Sequence, residues 1–191
     1  MDKMLEGKFL GIDESESPNF PQAGSYVLVV GVVSSYEPDL FKNQIKKKRK
    51  ATRDPPWHEL RGREYHLLRI PADYHYTYGH RGIIAISLVE CIANTKGPER
   101  VIVDGNLWPQ QVAQVHTVLG PEYEGVSIVG EDRADRRYPL VNRADNLAHF
   151  LVHLAHIPVQ FPNNQPLGLH PEKYTAFEAY GKKASANNSS A

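Results

Sequence analysis

Cysteine is almost absent from this chain of 191 residues, in which Cys91 is the only thiol. A single cysteine excludes an internal disulfide and a zinc site made of several thiolates. Cys91 lies within the apolar segment 83–93. We therefore predict a buried thiol that packs in the core, and not a nucleophile.

Long apolar runs are missing as well. None approaches the roughly 18 apolar residues that a membrane span needs, and residues 1–6 contain no apolar stretch of the secretory type. We therefore expect an intracellular, cytoplasmic protein that does not bind a membrane. The chain also lacks a glycine-rich phosphate loop and a nucleophile elbow, because Gly105 and Gly130 are isolated glycines.

Net charge is zero, with 22 basic and 22 acidic side chains, but the charge is unevenly distributed. Residues 42–53 contain seven bases and no acid, which leaves 15 bases against 22 acids in the rest of the chain. Such a basic segment could bind the phosphate backbone of a nucleic acid, and a solvated helix end would carry the same charges. The candidate contacts are Lys46, Lys47, Lys48, Arg49, Lys50 and Arg53.

The apolar patterning predicts one α/β domain over residues 1–160, followed by a C-terminal extension and flexible tail over 161–191. Three opening strands can form an antiparallel meander, and the later helix-linked strands can add to it in parallel. We therefore predict a mixed five-stranded sheet with helices on both faces. The predicted strands cover 8–13, 25–33, 64–70, 99–104 and 125–129, and the predicted helices cover 38–50, 82–94, 108–119 and 139–156.

One segment is unusually rich in aromatic and imidazole side chains. Residues 65–80 contain four tyrosines and three histidines. Such a segment could contact a single strand of nucleic acid by stacking. An irregular loop with half-buried tyrosines explains the same composition.

Two of the predicted strands end on an acid. Asp13 ends the first, and Asp104 ends the strand over 99–104. Because ligands of open α/β sheets gather at the carboxyl ends of strands, parallel neighbours would bring these two carboxylates together. They would repel each other unless they shared a hard divalent cation such as Mg²⁺. Two such ions about 4 Å apart could support phosphodiester hydrolysis, whereas each acid alone could also be an ordinary turn residue.

A third acidic segment carries a family resemblance. Residues 133–149 resemble the lysine-alanine-aspartate, tyrosine-proline, serine-alanine-alanine-serine segment of type 2 ribonucleases H. They follow residues 11–14 and 102–106, which match two other motifs in the order of that family. The resemblance covers about residues 8–155 and implies a ribonuclease H-like fold. It further implies four catalytic acids, which are Asp13, Glu14, Asp104 and Asp135.

The chain also departs from that family. The family's glycine-arginine-glycine turn, which senses a ribose 2′-hydroxyl, is replaced by Ser15, Glu16, Ser17 and Pro18. No counterpart of the family's substrate-binding helices is visible beyond residue 158. Residues 12–15 and 143–148 resemble equally a poorly characterised group of ribonuclease H-like proteins. That group begins with isoleucine-aspartate-glutamate-serine and has a helical alanine-aspartate-leucine motif, by which Asp145 would join the site.

These patterns together predict a Mg²⁺- or Mn²⁺-dependent nuclease that cuts RNA, RNA/DNA hybrid or DNA by a two-metal mechanism. The predicted metal ligands are Asp13, Asp104, Asp135 and Asp145, with Glu14 as a further ligand or a water-positioning group. The alternative is a non-catalytic nucleic acid-binding or adaptor protein of the same fold. An enzyme should bind Mn²⁺, and an adaptor should be indifferent to it.

Overall fold

The structure is a computed structural model, and it describes residues 4–35, 64–153 and 164–181. The basic segment 42–53, the helix predicted over 38–50 and the tail after residue 181 lie outside these ranges. The helices are α1 Asp73–Ala93, α2 Pro109–Leu119 and α3 Pro139–Leu151. The strands are β1 Leu5–Glu6, β2 Phe9–Glu16, β3 Tyr26–Ser34, β4 Glu64–Pro71, β5 Thr95–Lys96, β6 Arg100–Asp104, β7 Ser127–Glu131 and β8 Asn164–Leu167.

A six-stranded mixed sheet forms the centre of the molecule, in the order β7-β6-β2-β3-β4-β8. Strands β2, β3 and β4 are antiparallel neighbours. Strand β6 pairs parallel with β2 and with β7, and β8 pairs parallel with β4. This arrangement confirms the predicted antiparallel meander with parallel strands added beside it. The apolar patterning does not predict the sixth strand, β8.

Helices cover both faces of this sheet, which explains why β3 is apolar along its whole length. On one face, Leu10 and Ile12 pack in a core with Ile86 of α1. On the other face, Val30 packs in a second core with Leu147 of α3. No helix within the described ranges is long and apolar enough to cross a membrane.

The segment between β4 and the apolar part of α1 is not the irregular loop that its composition could also have indicated. Helix α1 already begins at Asp73 and has one break at Gly79, where φ is 65° and ψ is 174°. Tyr78 is buried, and its ring centroid lies 6.2 Å from that of Tyr174. Because Tyr174 lies far away in the sequence, local patterning does not reveal this packing.

Residues 164–181 pack against the same core as the sheet and α1. Strand β8 forms one edge of the sheet, where a proline such as Pro166 is tolerated. Tyr174 is fully buried and donates a hydrogen bond from its hydroxyl to Glu90 Oε1 at 2.6 Å. His170 Nδ1 lies 3.0 Å from Glu90 Oε2. This segment is therefore joined to α1 by a buried polar contact as well as by apolar packing.

Replacing Tyr174 by Phe should lower the free energy of unfolding by about 1–3 kcal/mol, because the completely buried Glu90 carboxylate loses a hydrogen-bond donor. Urea unfolding measures this change. Tyr76→Phe is the matched control, since the exposed Tyr76 hydroxyl donates only to the carbonyl of Pro21. Equal stability of the two variants would contradict the importance of the Glu90 contact.

Candidate active site

The pairing of β2 with β6 brings Asp13 and Asp104 to one edge of the sheet. Ile12 is paired with Val103 in parallel register. The next residues along these strands, Asp13 and Asp104, therefore lie side by side, on strands whose axes are about 4.8 Å apart. Asp104 ends β6, and Asp13 follows the last residue of β2 that pairs with β6. The prediction that Asp13 ends its strand is wrong, because β2 continues along β3 to Glu16. The two acids nevertheless lie where the parallel pairing ends, at the edge where ligands of open α/β sheets bind.

Helix α3 adds Asp145 to this edge because it lies unusually close to β2. A Cβ atom at Gly11 would lie 2.8 Å from the backbone of Leu140, so glycine is needed at this crossing. Asp13 is two residues after Gly11 and therefore faces the same side of the sheet. The charge of Asp145 raises the pKa of Asp13, which is consistent with the closeness of the two carboxylates.

Glu14 belongs to the opposite face of β2. Successive side chains of a strand alternate, so Glu14 faces α1 together with Leu10 and Ile12. Its Oε1 atom lies 3.7 Å from His80 Nε2, and its side chain is 18% exposed. The Glu14 backbone N–H donates to Asp13 Oδ1 at 2.8 Å. The edge thus receives acids from both faces of the sheet.

Two acids of this edge, Asp13 and Glu14, have raised pKa values. Burial, followed by the charges of Glu14, Asp145 and Asp104, raises the pKa of Asp13 well above its ordinary value. Burial, followed mainly by the charge of Asp104, raises the pKa of Glu14 to about 7. Without a counter-charge, this cluster is electrostatically unfavourable when it is fully ionised. A bound cation would relieve this repulsion.

Asp135 occupies a different position. It lies in a short 3₁₀ helix, Ala134–Arg136, and is 3% exposed. The neighbouring side chain of Ala134 packs with Val141 of α3 and Ile102 of β6. The acids whose charges raise the pKa values of Asp13 and Glu14 include Asp104 and Asp145 but not Asp135. We therefore define the charge cluster as residues 13, 14, 104 and 145, and the charge of Glu16 at the end of β2 adds to the repulsion at Glu14.

The donor atoms of the cluster are of the type that binds a hard divalent cation. Its donors are carboxylate oxygens, which are the ligands that Mg²⁺ and Mn²⁺ prefer. Glu14 Oε2 is buried and accepts no hydrogen bond from any residue that the structure describes. Within the same part of the chain, no three acidic, His or Cys side chains already form a finished coordination site. Binding an ion would therefore require side-chain rotations that turn the carboxylates toward each other.

Glu131 is a further acid at this edge, two residues beyond the strand predicted over 125–129. It ends β7 and pairs in register with Asp104. Tyr138 donates a hydrogen bond from its hydroxyl to Glu131 Oε2 at 2.8 Å, and Arg137 forms a salt bridge with Oε1. Because these partners already compensate its charge, we do not count Glu131 among the residues of the charge cluster.

A cavity of about 360 Å³ adjoins Asp104. Its lining includes His80 and Arg81 from the start of the second half of α1. Sequence patterning does not predict this cavity, because about 20 residues of chain separate its two walls, residues 80–84 and 104–111, and residues 65–80 resemble an irregular loop. The remaining lining residues are Ile84, Gly105, Asn106, Leu107 and Gln111.

The raised pKa of Glu14 predicts an unusual pH dependence of stability in the absence of metal. The folded chain holds this proton more tightly than the unfolded chain, so the free energy of unfolding should fall as pH rises from about 4.5 to about 7. Glu14→Gln should reduce this fall, leaving the part that the raised pKa of Asp13 contributes, and should add about 1–3 kcal/mol at pH 8. Urea unfolding in EDTA at pH 5 and pH 8 measures both effects.

Glu124→Gln, at an exposed turn, is the control for this experiment and should leave the pH dependence unchanged. Buried His66 acts in the opposite direction, since burial lowers its pKa to about 4 and stability should fall as pH drops from about 6.5. This contribution cancels in the difference between variant and wild type. An identical pH profile for Glu14→Gln and wild type would contradict the repulsion within the cluster.

Comparisons with known proteins bear on the fold. No family model matches the sequence, and no curated protein matches it. Among solved structures, the chain is similar to the ribonuclease HII in a complex with PCNA from Archaeoglobus fulgidus, with a TM-score of 0.53 and 19% sequence identity. The similarity covers 74% of this chain and 70% of that chain. This chain therefore has a ribonuclease H-like fold.

Proposed function

We propose that this protein is a metal-dependent nuclease whose centre consists of Asp13, Glu14, Asp104 and Asp145. The observation that carries the proposal is the convergence of acids from β2, β6 and α3 at the carboxyl edge of the parallel strands. A cluster of this kind repels itself unless a cation is bound. The ribonuclease HII with a similar fold supports nuclease chemistry in particular.

Mg²⁺ or Mn²⁺ is the cofactor that these oxygen donors fit. The chemistry that such ions supply when bound is the activation of water and the stabilisation of the leaving oxygen of an in-line displacement. Asp13 and Asp104, side by side where the pairing of β2 with β6 ends, would be ligands of such an ion. Asp145 would approach it from α3, and Glu14 would act from the side of α1, beside His80.

We assign the fourth acid to Asp145 and not to Asp135. Only Asp145 contributes to the electrostatic cluster around Asp13 and Glu14. Asp135 is almost completely buried in its turn, which suits a structural role. In this respect the chain follows the ribonuclease H-like group with the helical alanine-aspartate-leucine motif and departs from type 2 ribonucleases H.

The turn after β2 does not resemble a ribose sensor. Ser17 is buried and accepts a hydrogen bond at its Oγ from the backbone N–H of Tyr26 at 2.8 Å. The Ser17 backbone N–H donates to the Tyr26 carbonyl, also at 2.8 Å. Because these contacts close the connection between β2 and β3, we propose that cleavage does not depend on a 2′-hydroxyl bound at this turn.

A panel of end-labelled RNA, DNA and RNA/DNA hybrid substrates tests the proposed activity. We expect cleavage of at least one substrate with Mn²⁺ or Mg²⁺ and none in EDTA. Binding of nucleic acid without cleavage of any substrate in either metal would favour the adaptor alternative. The basic residues 46–50 and Arg53 remain proposed backbone contacts, and a decrease in the salt dependence of binding after their neutralisation would support them.

A further inference from the structure

The cavity beside Asp104 contains a basic side chain that the proposed metal centre does not use. Arg81 forms part of its lining together with Asp104, so a molecule bound there would lie against Arg81 and border the acidic cluster. The volume of about 360 Å³ falls within the range of small-molecule sites, which is about 300–1,000 Å³. We name this feature, lined by residues 80, 81, 84, 104–107 and 111, the Arg81 cavity.

Arg81 is held in place by two separate contacts. Its guanidinium carbon lies 3.4 Å from the centroid of the Trp108 ring. The side chain of Gln111, which is 1% exposed, donates from Nε2 to the Arg81 carbonyl at 2.9 Å and accepts at Oε1 from the Trp108 backbone N–H at 3.4 Å. One buried amide thus joins the backbone at both members of the stacked pair. Such preorganisation is typical of a binding site built on rigid elements.

The break in α1 determines where Arg81 lies. Gly79 has a positive φ of 65°, and a Cβ atom there would lie 3.2 Å from the carbonyl oxygen of Tyr180. The second half of the helix therefore begins at His80 and Arg81, which both line the cavity. His80 also lies 3.7 Å from Glu14, so this helix start connects the cavity with the acidic cluster.

The chemistry of the lining matches the parts of one nucleotide. A cation–π contact uses the face of the tryptophan ring and none of the guanidinium N–H donors, which remain suited to a phosphate. Ile84 and Leu107 provide apolar surface, and Asn106 provides an amide at the exposed side. Trp108 does not line the cavity, but its ring contacts Arg81, which does, and is 42% exposed, and an exposed indole can stack on a base.

A base that is paired within a duplex cannot enter a concave cavity without being flipped out of the helix, which costs free energy. We propose that the Arg81 cavity binds one unpaired nucleotide next to the phosphodiester that is cut, with Arg81 holding a phosphate of that nucleotide. This inference rests on the proposed nuclease function, which supplies the position of the cut. It implies that the substrate is unpaired at this nucleotide.

Tryptophan fluorescence provides a direct test of binding without cleavage. The chain contains two tryptophans, Trp57 and Trp108, so a Trp57→Phe background makes Trp108 the only reporter. AMP, dAMP and inorganic phosphate are titrated in EDTA, and labelled decamers are compared as single strands and as blunt duplexes. We expect both nucleotides to change the Trp108 emission and the single strand to bind about tenfold or more tightly than the duplex.

Arg81→Met should weaken the binding of AMP and of the single strand by about tenfold or more. Arg69→Met is the matched control, because Arg69 also stacks on an aromatic ring, that of Tyr26 at 3.8 Å, but does not line the cavity. If Arg81→Met does not fold, Arg81→Lys replaces it, because lysine keeps the charge without the planar fork. We expect its affinity for AMP to lie between the affinity of the wild type for AMP and that of the wild type for inorganic phosphate.

Three results would overturn the inference. These are an unchanged Trp108 emission with both nucleotides, equal affinity for single strand and duplex, or equal affinity of the Arg81 variant and the Arg69→Met control. A preference between AMP and dAMP identifies the sugar. The nuclease proposal fails separately, because Arg81-dependent nucleotide binding in EDTA together with no metal-dependent cleavage would contradict only the catalytic role.

Discussion

Asp104→Asn should abolish metal-dependent cleavage while the protein remains folded. Asp104 lies beside Asp13 on the neighbouring parallel strand, and its charge is the largest charge contribution to the raised pKa of Glu14. The substitution removes a proposed ligand and replaces a carboxylate by an amide of nearly the same shape. We expect the single-turnover rate to fall roughly 100- to 1000-fold or more, as for the loss of other groups that stabilise a transition-state charge.

The same substitution should weaken Mn²⁺ binding in calorimetry and should not lower the free energy of unfolding in EDTA. The reason for the second result is that removing one charge reduces repulsion in the cluster. Asp132→Asn is the control, since the Asp132 side chain is 71% exposed and lies beside Arg133. Full activity of Asp104→Asn in Mn²⁺ would refute the proposed centre.

Asp145→Asn should lower the activity and not the stability, whereas Asp135→Asn should lower the stability and not the activity. Asp145→Asn should reduce the cleavage rate roughly 100-fold or more and leave stability unchanged or slightly increased, because it belongs to the repelling cluster. Asp135→Asn should lower the free energy of unfolding by about 1–3 kcal/mol, because it changes a polar group that is 97% removed from solvent in its turn. The activity per folded molecule should then be retained.

Measuring both quantities for both variants distinguishes the two family resemblances. Urea unfolding gives stability, and single-turnover cleavage at a temperature where each variant is fully folded gives activity. The acid pattern of type 2 ribonucleases H requires Asp135→Asn to lose cleavage while folded. That outcome, with Asp145→Asn fully active, would transfer the fourth ligand to the turn at residues 134–136.

Substrate choice follows from two features on either side of the cluster. The turn after β2 is closed by the hydrogen bonds between Ser17 and Tyr26, so a ribose-sensing backbone is not expected there. The Arg81 cavity, on the side of α1, is instead our proposed site for an unpaired nucleotide of either sugar. Together, these features predict that strand state matters more than sugar identity for cleavage.

The sequence by itself determined the order along the chain of the five main strands, and it indicated two acids of the charge cluster. Alternation and apolar runs are local properties, so β2, β3, β4 and β6 could be located within a few residues from patterning alone. Asp13 and Asp104 could be found because both follow apolar strands, and parallel neighbours meet at one sheet edge. Glu14 came from the family resemblance and lies beside Asp13.

Only the tertiary structure decided which distant residues accompany these acids. The charge of Asp145 acts on Asp13 because Gly11 lets α3 approach β2, a contact across some 130 residues of chain. Strand β8 and the contact of Tyr174 with Glu90 were likewise invisible, since 84 positions separate the two side chains. Contacts between remote segments leave no periodic pattern in the sequence. Residue patterns therefore locate strands, but they do not locate the walls of a cavity.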